Sequence, residues 1–228
     1  MFIHAMLRTL MASTLILISL PSWKVHSFEI AVGEIYTNRF AIGEQQDVYV
    51  PEALTKIYAK LGKEVQLVFL PDERAVKMAN MGIYNALDLR TAPLETGSNL
   101  LRVEPELYTV DVVAVSLNDY RIENIDQLSD LKVVAQLGMQ YTKNLSFKNE
   151  IFYVSTPAEA AEFISKNRAD VWITTFPIVA LAMPHYPNIK VISGSLLEEK
   201  LYHYIHKSQE PILAQLSLSI MEFKSQSH

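Results

Sequence analysis

Short apolar runs alternate with amphipathic stretches along most of the chain. Phe28 to Glu34 (FEIAVGE) reads as a first strand. Leu54, Ile57, Tyr58 and Leu61 recur at the spacing of one helix face, so Pro51 to Gly62 predicts a helix with Pro in its first turn and Gly at its stop. Glu64 to Leu70 (EVQLVFL) predicts a strand. Pro71 to Gly82 repeats the Pro-start, Gly-stop helix signal, and Tyr84 to Leu89 predicts a third short strand. Glu106 to Leu117 is a long extended run rich in β-branched residues. The pattern then restarts. A short helix is expected over Asn124 to Leu131, and strands over Lys132 to Leu137 and Glu150 to Val154. Thr156-Pro157-Ala158-Glu159 is a capping box that opens a helix running to about Asn167. Strands at Ala169 to Thr174, Ile189 to Ser193 and Leu201 to His206 complete the reading. Few residues follow Phe223, which leaves little room for a long final helix.

Strands alternating with helices imply mainly parallel sheets covered on both faces. Two successive β-α-β-α-β sets joined by one long extended segment imply two α/β lobes.

The first 27 residues stand outside that pattern. Arg8 precedes an uninterrupted apolar or small-residue run, Thr9 to Leu20, and Val25-His26-Ser27 fits a cleavage site after Ser27. The run is shorter than the ~20 residues that a membrane-spanning helix needs, so it predicts a cleaved secretory signal and a periplasmic protein. Cleavage removes Arg8 and Lys24 and no acid, taking the formal net charge from −5 to −7. An acidic chain of this kind is a poor partner for nucleic acid or anionic lipid. The chain contains no cysteine, which excludes disulfides, thiolate metal sites and Cys nucleophiles.

In open α/β sheets ligands gather beyond the C-terminal ends of the strands. That rule selects Ile35, Tyr36 and Thr37 after the first strand, then Asp72, Glu73 and Arg74, then Arg90 and Thr91. In the second set it selects Gly138 to Thr142 (GMQYT) and Thr174-Thr175. The candidate ligand-binding residues are Tyr36, Arg74, Arg90, Tyr141, Thr142 and Thr175. Either arginine has the fork geometry to hold a carboxylate, although Arg74 can also simply cover its helix. Trp172 and Tyr108 read as core. Catalytic patterns are missing: no G-x-G-x-x-G, no phosphate loop and no G-x-S-x-G elbow. His203 and His206, three apart in a strand, should point to opposite faces and make a poor metal pair. Asp88 with Glu95, or Glu198 with Glu199, are the conceivable acid pairs, and solvated surface carboxylates are the commoner meaning. No metal, no cofactor and no catalytic residue is expected.

From Leu70 to Val115 (LPDERAVKMANMGIYNALDL, then LLRVEPELYTVDVVAV) the chain resembles the amino-acid-binding branch, family 3, of bacterial periplasmic solute-binding proteins. The shared features are a helix ending at Met81-Gly82, a step into a strand at Asn85-Ala86, and the element Glu104 to Tyr108 before the strand that crosses to the second lobe. Leu128 to Thr142 and Pro157 to Trp172 are similar to that family's second lobe. The resemblance implies a two-lobed type II periplasmic-binding fold, with lobe 1 at residues 28–113 plus 200–228 and lobe 2 at 114–199, joined by two crossing strands. It also implies a monomer that traps a solute and delivers it to an inner-membrane ABC permease or a sensor protein. The family's carboxylate-gripping arginine falls here on Gly97, and its amine-binding aspartate on Thr175. Both anchors are absent, which argues against an ordinary α-amino acid. Three functions follow from these residues: binding of a small polar or carboxylate-bearing solute without turnover, ligand sensing without transport, or a small-acid dehydratase-like enzyme using Asp72 or Glu73.

Overall fold

The computed structural model describes residues 27–42, 45–92, 94, 97–137, 139, 141–142 and 151–226. The predicted signal segment lies outside the described residues except for Ser27. Ten strands form one sheet. Strand β1 (Phe28–Gly33) lies between β4 (Val65–Leu70) and β5 (Ala86–Thr91), all three parallel. A short two-stranded hairpin, β2 (Phe40–Ile42) with β3 (Gln45–Val48), stands apart from it. Strand β5 pairs antiparallel with the long β12 (Leu197–His206), which also pairs with β6 (Leu100–Arg102) and with β7 (Tyr108–Ser116). From β7 the sheet continues through β10 (Val171–Thr175) to β8 (Val133–Gln136) and β9 (Ile151–Val154), which are parallel to one another; β11 (Lys190–Val191) also pairs with β7.

Helices cover the first half on both faces. Helix α1 (Val50–Lys60) buries Val50, Ala53, Leu54, Ile57 and Tyr58, a stripe at i, i+3, i+4, i+7 and i+8. This face packs with Ile30, Val32 and Leu89 of the sheet and with Leu216 and Ile220 of α5 (Leu213–Gln226). Helix α2 (Asp72–Asn80) lies on the opposite face, burying only Ala75 and Ala79 against Ala31 and Leu87. Those small residues let its backbone approach the sheet closely. It ends at Gly82, whose φ of +74° and amide bond to Ala79 O close the last turn. A Cβ at Gly82 would lie 2.8 Å from the His206 ring, so two requirements meet on one glycine.

In the second half, α3 (Pro157–Ser165) and α4 (Phe176–Ala182) share a core with Val113, Val115, Val134 and Trp172. The other sheet face buries Val112, Ala114, Val133, Tyr141, Val171 and Ile173. Thr156 Oγ1 accepts from Glu159 N, and Glu159 Oε2 accepts from Ser155 N, as the capping box requires.

Several elements depart from the sequence reading. The expected lack of a long final helix is wrong: α5 spans 14 residues, because Leu213, Leu216, Ile220 and Phe223 form a helical stripe that starts well before Phe223. The helix expected over Asn124 to Leu131 shortens to a 3-10 turn, Ile125–Leu128, capped by the Asn124 side chain. The hairpin β2–β3 and helix α4 were not anticipated.

Candidate functional site

The register of the sheet places the site. β7 runs from the first half into the second and β12 returns, so the two form a shared ribbon. Thr91, the last residue of β5, stands opposite Leu201, which in turn stands opposite Tyr108. Thr175, the last residue of β10, stands opposite Val112, which also faces Leu197. The strands β1, β4 and β5 therefore point their C-terminal ends toward the second half, and β8 and β10 point theirs back. The two levels are four residue steps apart along the ribbon, about 13 Å at ~3.3 Å per residue. This waist is crossed by few contacts. Ile35, in the turn after β1, packs against the cores of both halves, and β2 lies against α4.

On the first side of the waist a charged network fills the strand ends. Asp88 is fully buried and its Oδ2 accepts from Gly33 N at 2.5 Å. Arg90 Nη2 donates to the same oxygen at 3.0 Å, and Arg90 Nη1 donates to Asp72 Oδ1 at 2.9 Å. Arg90 Nε lies 2.9 Å from Asp88 Oδ1, off the angle of a hydrogen bond. The Arg90 side chain is 17% exposed and that of Asp72 46%, so the network grades from core to opening. Burial pushes the Asp88 carboxyl up to about 7, against the pull of Arg90 and the Gly33 amide. Burial alone would lower Arg90; Asp88, Tyr36 and Asp72 outweigh it and hold the guanidinium firmly protonated. Gly33 is required here: a Cβ on it would fall 2.1 Å from Asp72 Oδ1 and 2.8 Å from Arg90 Nη2.

A second buried chain lies beneath. The Tyr58 hydroxyl is 2.8 Å from His203 Nε2, and His203 Nδ1 is 3.3 Å from the carbonyl of Asp88. Only the Nδ1–H tautomer satisfies both contacts, with Tyr58 donating to Nε2. Burial lowers the fully buried His203 to about 4. His203 meets α1 and His206 meets the end of α2, on opposite faces as expected. Among the described residues no group of three or more His, Cys, Asp or Glu is placed to hold a metal.

The opposite strand ends are uncharged. Gln136 closes β8 and Thr174 is the penultimate residue of β10. Gln136 Nε2 donates to Ser155 O at 3.4 Å, which turns Oε1 the other way. Gln136 Oε1, Trp172 Nε1 and Thr174 Oγ1 are buried without a hydrogen-bond partner. The Thr174 hydroxyl lies near that of Tyr141.

The nominated residues therefore have unequal fates. The hydroxyls of Tyr36, Tyr141 and Thr142 donate to Leu89 O, Ile173 O and Met139 O. Tyr36 and Tyr141 are nearly fully buried, and burial raises both phenols. Arg74 is exposed in the first turn of α2, with Nε directed to Met78 Sδ at 3.4 Å rather than to Glu73. Thr175, half-buried, precedes α4 at the waist. Arg90 reaches the site but is already met by two carboxylates. Glu95 lies outside the described residues, so its pairing with Asp88 has no structure to describe. The reading missed the Asp72–Arg90–Asp88 network. An acid and a base at i and i+2 of a buried strand (LDLR) share a face, and that pattern was the available signal.

No protein-family model matches the sequence, and no curated protein matches it significantly. Solved structures do match in shape. A histidine kinase sensor domain with similarity to periplasmic binding proteins superposes with a TM-score of 0.71 at 13% identity, covering 88% of this chain and 91% of that one. The holo form of ArgBP from T. maritima gives 0.68 at 14% identity, with 87% and 90% covered. The substrate-binding protein of an amino acid ABC transporter gives 0.65 at 14% identity, with 88% and 94% covered. The chain thus has the two-lobed fold of periplasmic binding proteins, with β7 and β12 as the strands that cross between lobes. These neighbours are binding proteins and a sensor domain.

Proposed function

We propose that the protein is exported to the periplasm, where its lobes close on a small polar or carboxylate-bearing solute and present it to an ABC-type transporter without altering it. The observation that carries this reading is the waist: two sets of strand ends face one another across about 13 Å, joined by a two-stranded ribbon with Ile35 and β2 reaching across beside it. The lobe boundaries in this reading are 113/114 and 199/200: the second falls within the ribbon, and the first just beyond it, where Val113 pairs with Thr174. The closed form has contacts that the open form lacks, and ligand binding shifts the equilibrium by that difference. The secretory pattern of the first 27 residues supports the compartment. A carboxylate-bearing solute would have to use Arg74 or compete with Asp72 and Asp88 for Arg90.

A sensory role is the second reading, favoured by the likeness to the kinase sensor domain; a bound solute would then be read by a membrane sensor. Thermal-shift screening of the processed chain against amino acids, organic acids, amines and sugars tests the shared core of both. A solute at 100 times its Kd should add about 2.7 kcal/mol, and X-ray scattering should show the particle contracting. If every solute leaves melting and radius unchanged, the reading fails.

A further inference from the structure

The two sides of the waist ask for the same partner. On the first lobe, Arg90 is spent internally: its guanidinium contacts both Asp88 and Asp72, so it offers little to an incoming anion. Asp72 uses Oδ1 for Arg90, its Oδ2 accepts no hydrogen bond among the described residues, and its side chain remains 46% exposed. The network carries two carboxylates against one guanidinium. Glu34 and Glu73 flank it in exposed positions, and Arg74, the remaining cation of these turns, lies along α2 toward Met78. Glu199, half-buried on β12 within the waist, has no ion pair among the described residues, and burial raises its carboxyl.

The second lobe supplies an independent sign. Thr174 is fully buried at a strand end, its hydroxyl beside the Tyr141 phenol, to which it can donate, and its oxygen accepting no hydrogen bond; Gln136 Oε1, an acceptor only, is buried on the neighbouring strand without a donor among the described residues. Buried acceptors favour a donor. The β8–β10 register, which pairs Ala135 with Ile173, brings the two side by side. Oxygen acceptors thus stand at the strand ends on both sides of the waist, with an excess of carboxyl groups over cations on one.

We propose that the solute is recognised as a cation: the open oxygen of Asp72, positioned by Arg90, receives an ammonium or guanidinium group, and when the lobes close Thr174 Oγ1 and Gln136 Oε1 receive N–H donors from the other end of the solute. No carboxylate on the solute is needed, in keeping with the absence of the family-type anchors at Gly97 and Thr175. Arg90 is a positioning residue in this scheme and Asp72 the contacting one. The inference rests on the solute-binding reading above and narrows it.

The test is calorimetric titration of the processed protein with probes of matched length: 1,4-diaminobutane, 4-guanidinobutylamine, arginine, glutamine and glutarate. Binding of one or more of the amines or of arginine, with glutarate and glutamine at least tenfold weaker, is expected. Asp72→Asn should then weaken the cation at least tenfold, and Thr174→Val should weaken it several-fold. Arg90→Lys should keep more affinity than Arg90→Gln, because a lysine can still tether Asp72. Preference for glutarate or glutamine would overturn the proposal while leaving solute binding intact, as would unchanged cation affinity in both Asp72→Asn and Thr174→Val. Silence from all five probes, with an anionic or uncharged solute found by the thermal screen, also overturns it; silence throughout that screen removes the parent reading.

Discussion

The two sets of strand ends that meet at the waist are built from opposite materials. On the first lobe, Asp72, Arg90, Asp88 and the Gly33 amide are tied together by charge and hydrogen bonds, with Asp88 Oδ1 and Arg90 Nε meeting as an ion pair only. On the second, Gln136, Trp172 and Thr174 leave uncharged polar atoms buried without a hydrogen bond. A network held by charge stiffens the backbone that carries it, and its members are expensive to remove singly. A group that is unpaired contributes little to the fold, and its use lies elsewhere.

The contrast can be broken most severely at Arg90. Arg90→Ala should cost about 3–5 kcal/mol in denaturant unfolding, because it strands a buried carboxylate; a loss below about 1 kcal/mol would show the network to be solvated. The pH dependence is next. His203, neutral and held near 4 in the fold, contributes stability that is complete above its unfolded value of ~6.5 and is lost as pH falls toward 4, up to about 3 kcal/mol. Asp88, raised to about 7, has the opposite sign: its contribution is complete below ~3.9 and is lost as pH rises through 7. The two slopes oppose one another between pH 4 and 6.5. Asp88→Asn should therefore expose a Tm that drops with acid, and His203→Asn one that rises; parallel profiles in the two variants would contradict the assignment. Gly33→Ala, which must push Asp72 and Arg90 aside, should cost about 1–3 kcal/mol. Smallest is Thr174→Val: without solute it should change stability by less than about 0.5 kcal/mol or add to it, since no bond is lost. A loss above 1 kcal/mol would mean that its hydroxyl already serves the fold.

Much of the architecture was legible from pattern alone. Helices α1, α2 and α3 carry start and stop residues, and their boundaries fall within about two residues of expectation. β12 begins earlier than its apolar run, at Leu197, because it borders the waist, where Glu198, Glu199 and Lys200 alternate without a continuous core to enforce apolarity. Helix α4 was hidden because Phe176 to Ala182 is apolar nearly throughout, which leaves a short segment no periodicity to read. The hairpin was hidden because its residues lack alternation. In the site, the strand-end rule found the right places and assigned some of them the wrong tasks. It cannot tell a tyrosine whose hydroxyl meets a main-chain carbonyl, such as Tyr36, from one that awaits a guest. Nor can it see that Arg90 is met by Asp88 of its own strand and by Asp72 from helix α2.

Because ten strands share a single hydrogen-bonded surface, any cut separating the halves must sever the β7–β12 pairing and release Ile35 from two interiors at once. The molecule should accordingly bend in the middle yet come apart as a unit, giving one endotherm on heating, with neither half persisting after its companion has melted.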